Sequence, residues 1–273
     1  MALGRGASAG ISGGTISNDI AIGTAAQATG GASIAQGNTA KALGASAIAM
    51  GDGAQAHGNN SIALGTGNKV FAKNAGAFGD PTIINIGADG SYAVGNNNTV
   101  NAADAFVMGS DVTADLAGSV ILGKASDGTT ASKYVQTTSA TLNGLTYGGF
   151  AGAGTLTDGS VVSIGAAGAE RQIKNVAAGQ ISATSTDAIN GSQLHATNAV
   201  LGNVANSTKN ILGGNASLAV DGTITMTNIG DTGENTVHDA IKNVKSNIEN
   251  VEIIASKGWN ISANGATAAK VVP

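Results

Sequence analysis

Cysteine is absent from this 273-residue chain, which excludes disulfides, thiolate metal ligands and cysteine nucleophiles. Charge is scarce: 13 basic and 17 acidic residues make up 11% of the chain, against roughly 25% in ordinary globular domains. They form no basic block, so a nucleic-acid footprint is excluded. Aromatics are scarcer still, with four Phe, three Tyr and one Trp, too few to fill a conventional core. No run of about 18 apolar residues exists to make a transmembrane helix. The opening Met1-Ala2-Leu3-Gly4-Arg5-Gly6 lacks the apolar stretch of a signal peptide. With Val271-Val272-Pro273 at the other end, the sequence reads as a fragment. Disorder does not fit either, because the chain is 42% hydrophobic with a net charge of only −4.

What the chain has is glycine, 42 of them, and regularity. Pentapeptides such as Asp19-Ile20-Ala21-Ile22-Gly23, Ala47-Ile48-Ala49-Met50-Gly51 and Ser119-Val120-Ile121-Leu122-Gly123 recur, and their closing glycines fall at 23, 37, 51, 65, 79, 95, 109 and 123. Every step is 14 except one of 16 between Gly79 and Gly95. Such a fixed period marks a repeat architecture. Within each unit the small-large-small-large alternation has period two, so each is a short strand. Halfway round lies a second alternating piece, as in Ala40-Lys41-Ala42 and Ala54-Gln55-Ala56. Glycines at 30, 44 and 58 then mark a second turn, where positive φ is expected.

Fourteen residues therefore make one coil of two strands and two tight turns, with coils stacked at the parallel strand spacing of about 4.8 Å. The large residues, such as Ile62 and Leu64, are expected to fill a thin interior against Ala and Val of the second strand. The opposite face, carrying Ser61 and Ala63, is then the one open to another chain.

After about Lys124 the beat fails. Residues Thr141 to Phe150 look like an inserted hairpin, and the beat returns once at Val161-Val162-Ser163-Ile164-Gly165. Ser185 or Thr186, with Asp187, is positioned to cap a helix running towards Val204. Ile211 to about Asn235 reads as a second irregular piece with a strand at 223–227. The period then becomes helical: Val237, Ile241, Val244, Ile248, Val251 and Ala255 are spaced 4, 3, 4, 3 and 4. Val and Ile at both seam positions favour three strands over two, with a single surface helix as the alternative.

Together these residues resemble the trimeric autotransporter adhesins of Gram-negative bacteria, of the YadA-like type. Asn60-Ser61-Ile62-Ala63-Leu64-Gly65 is similar to the family's head repeat, while Arg171 to Gly179 and Asp187 to Leu194 resemble its neck. Asn143 to Ala153 is similar to a head insert, and Gly258-Trp259-Asn260-Ile261 to the start of a tryptophan-ring module. The resemblance implies a mostly β chain: a left-handed parallel β-roll solenoid with a 14-residue repeat, forming a homotrimer, followed by a neck and short trimeric coiled coil. The expected organisation is a roll over 1–123, an insert over 124–160, and the last head strand and neck over 161–198. A connector with a β element follows over 199–234, a coiled-coil stalk over 235–257 and a further head module over 258–273. It also implies display on the bacterial surface through an outer-membrane anchor outside this sequence, and partners among host matrix proteins of the collagen, fibronectin or laminin class, or other copies of itself. No cofactor is implied.

On this basis the roll surface offers Ser33, Lys41, Ser61, Ala63, Lys69 and Ser91 as ligand contacts. Val237, Ile241, Val244, Ile248, Val251 and Trp259 are assigned to the trimer core, and Arg171, Asn175, Asp187, Asn190 and Gln193 to the neck. Gln36 and Gly76 depart from the repeat, each standing where a large apolar residue belongs. Catalysis finds little support. His57, His195 and His238 are scattered, no G-x-x-x-x-G-K-[ST] loop occurs, and Asp-Gly pairs such as Asp89-Gly90 read as turns. A left-handed β-helix acyltransferase is the enzyme rival, but its coils run to eighteen residues rather than 14. A purely structural spacer is the other alternative, and an ice-binding solenoid would want ranks of Thr that the outer strands lack.

Overall fold

A computed structural model describes residues 1–10, 18–261, 265 and 269–271, with the side chains of 259–264 and 266–273 outside the description. The Trp259 side chain therefore lies outside the described residues, and of the module expected over 258–273 what is described is chiefly the backbone pairing of Trp259–Ile261 with Ala269–Val271. Residues 1–175 with 182–186 form one compact unit, and 176–181 with 187–273 a second.

The first unit is a parallel solenoid. Ile20–Ile22, Ile34–Gln36, Ile48–Met50, Ile62–Leu64, Gly76–Phe78, Tyr92–Val94, Phe106–Met108 and Val120–Leu122 each pair with the strand one coil away, and Ala2–Leu3 and Val162–Ser163 extend the sheet to ten strands. Eight further strands, among them Gln27–Ala28, Lys41–Ala42, Gln55–Ala56, Lys69–Val70, Thr82–Ile84, Asn98–Val100 and Thr113–Ala114, form the second sheet. Like positions stack, so that Ile48 pairs with Ile62 and Ala49 with Ala63, while Lys41 pairs with Gln55. The Ala2–Leu3 coil precedes the first unit legible in the sequence, because 19 residues rather than 14 separate Ala2 from its partner Ala21.

The faces of the coil are opposite to those expected from side-chain size. Ala21, Ala35, Ala49, Ala63, Ala77 and Ala93 are fully buried between the sheets, against Ala28, Ala42, Ala56 and Val70. The large residues Ile62, Leu64, Tyr92, Phe106 and Met108 point outward. The reason is spacing: turns of so few residues hold the two sheets so close that mostly methyl-sized side chains fit between them. Polar side chains at the coil corners are buried too and are satisfied by the turns. Asn68 donates to the Leu64 and Gly79 carbonyls at 2.7 and 2.6 Å and accepts from Thr82 N at 2.7 Å. Ser61 donates to the Gly58 carbonyl at 2.6 Å.

Glycines 30, 44 and 58 do not adopt the positive φ expected from the sequence; the reason for glycine there is close approach. A Cβ on Gly44 would stand 2.0 Å from the Gly58 carbonyl oxygen in the next coil. Positive φ falls instead on the closing glycines, such as Gly51 at 133°, and on turn residues such as Thr39, Ser46 and Asn60. The 16-residue coil places its two extra residues in the second turn. Phe78 to Ile84 keeps the usual spacing, Ile84 to Tyr92 does not, and Ile86 projects at 85% exposure.

Beyond Leu122 a hairpin, Ser139–Leu142 with Leu145–Gly148, turns at Asn143-Gly144 before Val162–Ser163 returns to the sheet beside Val120 and Ile121.

In the second unit helix α1 spans Gly191–Leu212. Its N-cap is Asn190, not Ser185, Thr186 or Asp187: the Asn190 side chain accepts from Gln193 N, and the Gln193 side chain reaches back to the cap backbone, forming a capping box. The helix also runs well past Val204, so the opening stretch of the connector expected over 199–234 is helical. A short antiparallel pair, Ser217–Leu218 with Ile224–Thr225, follows. Helix α2, Val237–Ser256, is capped by Thr236, whose hydroxyl accepts from Asp239 N at 3.1 Å.

Candidate binding surface

The outer face of the ten-stranded sheet carries two columns of side chains. One runs through Ile20, Ile34, Ile48, Ile62, Tyr92, Phe106 and Val120; the other through Ile22, Met50, Leu64, Phe78, Val94, Met108 and Leu122. In this single chain they are half-buried or exposed, Met108 to 51%. Gln36 interrupts the second column without harm, since it faces outward and is solvated. Gly76 interrupts the first because the Tyr92 ring lies over it, with Cδ1 at 2.8 Å from where a Cβ would stand. A groove of about 500 Å3 along Gln36, Met50, Leu64 and Phe78 flanks the second column. An apolar face of this length, broken only at Gln36 and Gly76, is a candidate partner surface.

The eight-stranded sheet turns a polar face outward. Lys41 and Lys69 stand here, half-buried, in one rank with Gln27 and Gln55. Beside them the His57 ring packs at 4.9 Å and a tilt of 48° on Phe71, with Nε2 3.2 Å from Gln55 Oε1. Burial, and then the Lys41 charge, hold the His57 imidazole below its ordinary pKa of 6.5.

Of the ligand contacts expected on the roll, only Lys41 and Lys69 reach the surface. Ser33, Ser61, Ala63 and Ser91 are fully buried, which corrects their assignment: they belong to the small face that packs between the sheets. Burying the larger side chains is the rule for a chain that completes its own core, and here it selects the wrong face. The outer apolar columns follow from the same inversion, and Ser33, Ser61, Ser91 and Ser119, whose hydroxyls hydrogen-bond within the roll, mark the inner face.

The seam residues lie on α2 with Val237, Ile241, Val244, Ile248 and Val251 all exposed, Ile241 to 65%. Three residues expected at the neck gather around one segment. Asn190 donates to the Val176 carbonyl at 3.1 Å, Gln193 exchanges hydrogen bonds with Gly179 at 2.9 and 2.7 Å, and Asp187 accepts from Gln180 N at 2.9 Å. Arg171 is placed elsewhere: its guanidinium donates to the Ile164 and Lys124 carbonyls at 2.6 and 2.5 Å and to Ser126 Oγ at 2.9 Å, closing the last coil of the roll. Asn175 takes a left-handed φ of 61°. No cluster of His, Asp or Glu able to hold a metal occurs among the described residues.

Two family models match the chain. The YadA head domain repeat matches twice, at 28–54 and 42–68, and the coiled stalk of trimeric autotransporter adhesin matches 172–217. The chain is 45% identical over 96 residues to the trimeric autotransporter adhesin AtaA of Acinetobacter sp. strain Tol 5, covering 35% of this chain and 2% of that protein. It is 50% identical over 80 residues to the autotransporter adhesin BtaE of Brucella suis, covering 29% of this chain and 10% of that one. A solved C-terminal YadA-like domain from Burkholderia pseudomallei is similar at 32% identity and a TM-score of 0.37, over 56% of this chain and 63% of the other. The chain thus spans a tenth or less of the length of these two adhesins.

Proposed function

We propose that this chain, which belongs to the trimeric autotransporter adhesins with YadA head repeats and a coiled stalk, acts by attachment, within a homotrimeric surface fibre. Proteins of this family are non-catalytic and are anchored at the cell surface in the outer membrane. The observation that carries the proposal is the apolar outer face of the ten-stranded sheet. Three copies of that face turned towards one another would remove from water what a single chain leaves exposed, with about 25 cal/mol stabilising each Å2 of apolar surface covered. The seam Val237, Ile241, Val244, Ile248 and Val251 on α2 supports the same stoichiometry. The Ser139–Gly148 hairpin is read as the head insert.

With the apolar face covered, the eight-stranded sheet and its turns remain outward. They would meet the partner, a host matrix protein of the collagen, fibronectin or laminin class or another copy of the fibre, with Lys41 and Lys69 among the contacts. Light scattering on the purified chain tests the assembly: the expected mass is three times 26.3 kDa. A panel of immobilised collagen, fibronectin and laminin tests attachment. A single-chain mass would overturn the trimer. A trimer that binds none of the panel and does not self-associate would leave only the role of spacer.

A further inference from the structure

Charge on the roll is divided along its length. Residues 1–73 carry four Lys or Arg against two Asp, whereas residues 74–123 carry five Asp and neither Lys nor Arg. Three of these charges mark the outer face of the eight-stranded sheet: Lys41, Lys69 and, beside the strand Thr113–Ala114, the exposed Asp115. None of the three belongs to an ion pair; the pairs among the described residues are Lys124 with Asp111, Lys133 with Asp158 and Lys245 with Glu249. Between the basic and acidic bands lies a neutral middle, where Ile83 is half-buried on the face and the long coil pushes Ile86 out beside it.

We propose that this face pairs with the same face of a second copy of the chain, antiparallel, about a twofold axis lying along the strand direction between Thr82–Ile84 and Asn98–Val100. Lys69 and Asp115 are on strands three spacings apart, roughly 14 Å. Reversing one copy about that axis brings each Lys69 over the partner copy's Thr113 strand position, one residue pair (about 7 Å) short of Asp115. A lysine stem spans that gap. The two Ile83 side chains fall on either side of the axis, giving an apolar centre flanked by two charge pairs. Such an interface is isologous: one patch, used twice. A ligand bearing one sign of charge would be opposed at either Lys69 or Asp115, whereas a reversed copy complements both, with Lys41 lying beyond the last strand of the partner sheet. The inference rests on the reading above that this face is the outward, attaching one; the trimer covers the ten-stranded sheet and leaves it so.

Sedimentation velocity on the intact chain tests it. Lowering salt from about 1 M to about 0.01 M lengthens the screening distance from roughly 3 to 30 Å, so pairing of trimers should appear as salt falls. Lys69→Glu alone and Asp115→Lys alone set like charges opposite each other twice per interface, and each should weaken pairing about tenfold. The double variant Lys69→Glu/Asp115→Lys restores opposite charges and should restore pairing. Trimers that never pair at low salt, pairing that salt does not affect, or a double variant no better than the singles would each overturn the proposal. A single-chain mass that pairs with the same charge rescue would sink the trimer reading and keep this one; one that never pairs would sink both.

Discussion

At most interior positions of the roll the largest side chain that fits ends in a methyl group. Ala35, Ala49 and Ala63 stack in one column, and every larger replacement has to separate sheets whose backbones are already tied coil to coil. Gly44 is the sharper case. Ala there directs its Cβ to within 2.0 Å of the Gly58 carbonyl oxygen, a backbone atom that cannot swing aside. Gly44→Ala should destabilise the roll by on the order of 3 kcal/mol, read from the denaturant midpoint. Gly53 makes the control: its φ of 65° is left-handed, but a Cβ meets nothing within 4 Å. Gly53→Ala should therefore cost only about 1 kcal/mol. Equal losses at the two sites would remove the coil-contact explanation. The beat of glycines at 30, 44 and 58 is legible in the sequence, but its cause is not, because a left-handed turn and a close approach select the same residue.

A strand with one small and one large face can be turned either way round, and only the distance to the opposite sheet decides. The 14-residue period, the parallel stacking and the heptad spacing of α2 are all legible, since each is a spacing along the chain. The inward face is not, because burying the larger side chains is the right rule only for a chain that completes its own core. Asn190 shows a different kind of miss: Asn190-Gly191-Ser192-Gln193 has the capping-box spacing in plain view, but the capping residues just before it compete for the same role. The orientation of the ten-stranded sheet gives an element-level prediction. Phe106 is 39% exposed in the single chain, so Phe106→Glu should leave the β-sheet circular dichroism unchanged while lowering the solution mass from trimer to single chain. A variant that stays trimeric would show that this face is not the one between chains.

For the whole molecule, little charge is available to steer a partner from a distance, so attachment has to rely on number of contacts. Three chains presenting the same outer strands raise the effective concentration of every weak contact, a gain of about 10²–10⁴ in avidity where geometry allows simultaneous engagement. Ile241→Asp, which puts a carboxylate in the α2 seam, should abolish trimers and with them most of the binding to an immobilised matrix protein, while a single substitution on the outer strands should change binding to that matrix protein little. An Ile241→Asp chain that remains trimeric and binds normally would disconnect the seam from assembly. The coil has a further consequence, at the level of heredity. One coil is fourteen codons, its ends are near copies of its neighbours' ends, and both faces repeat in step with it. Unequal exchange between two such repeats in the gene adds or deletes whole coils, keeping the reading frame, the strand register and the apolar columns intact. The reach of the head can thus change in a single recombination event without any new interface having to evolve.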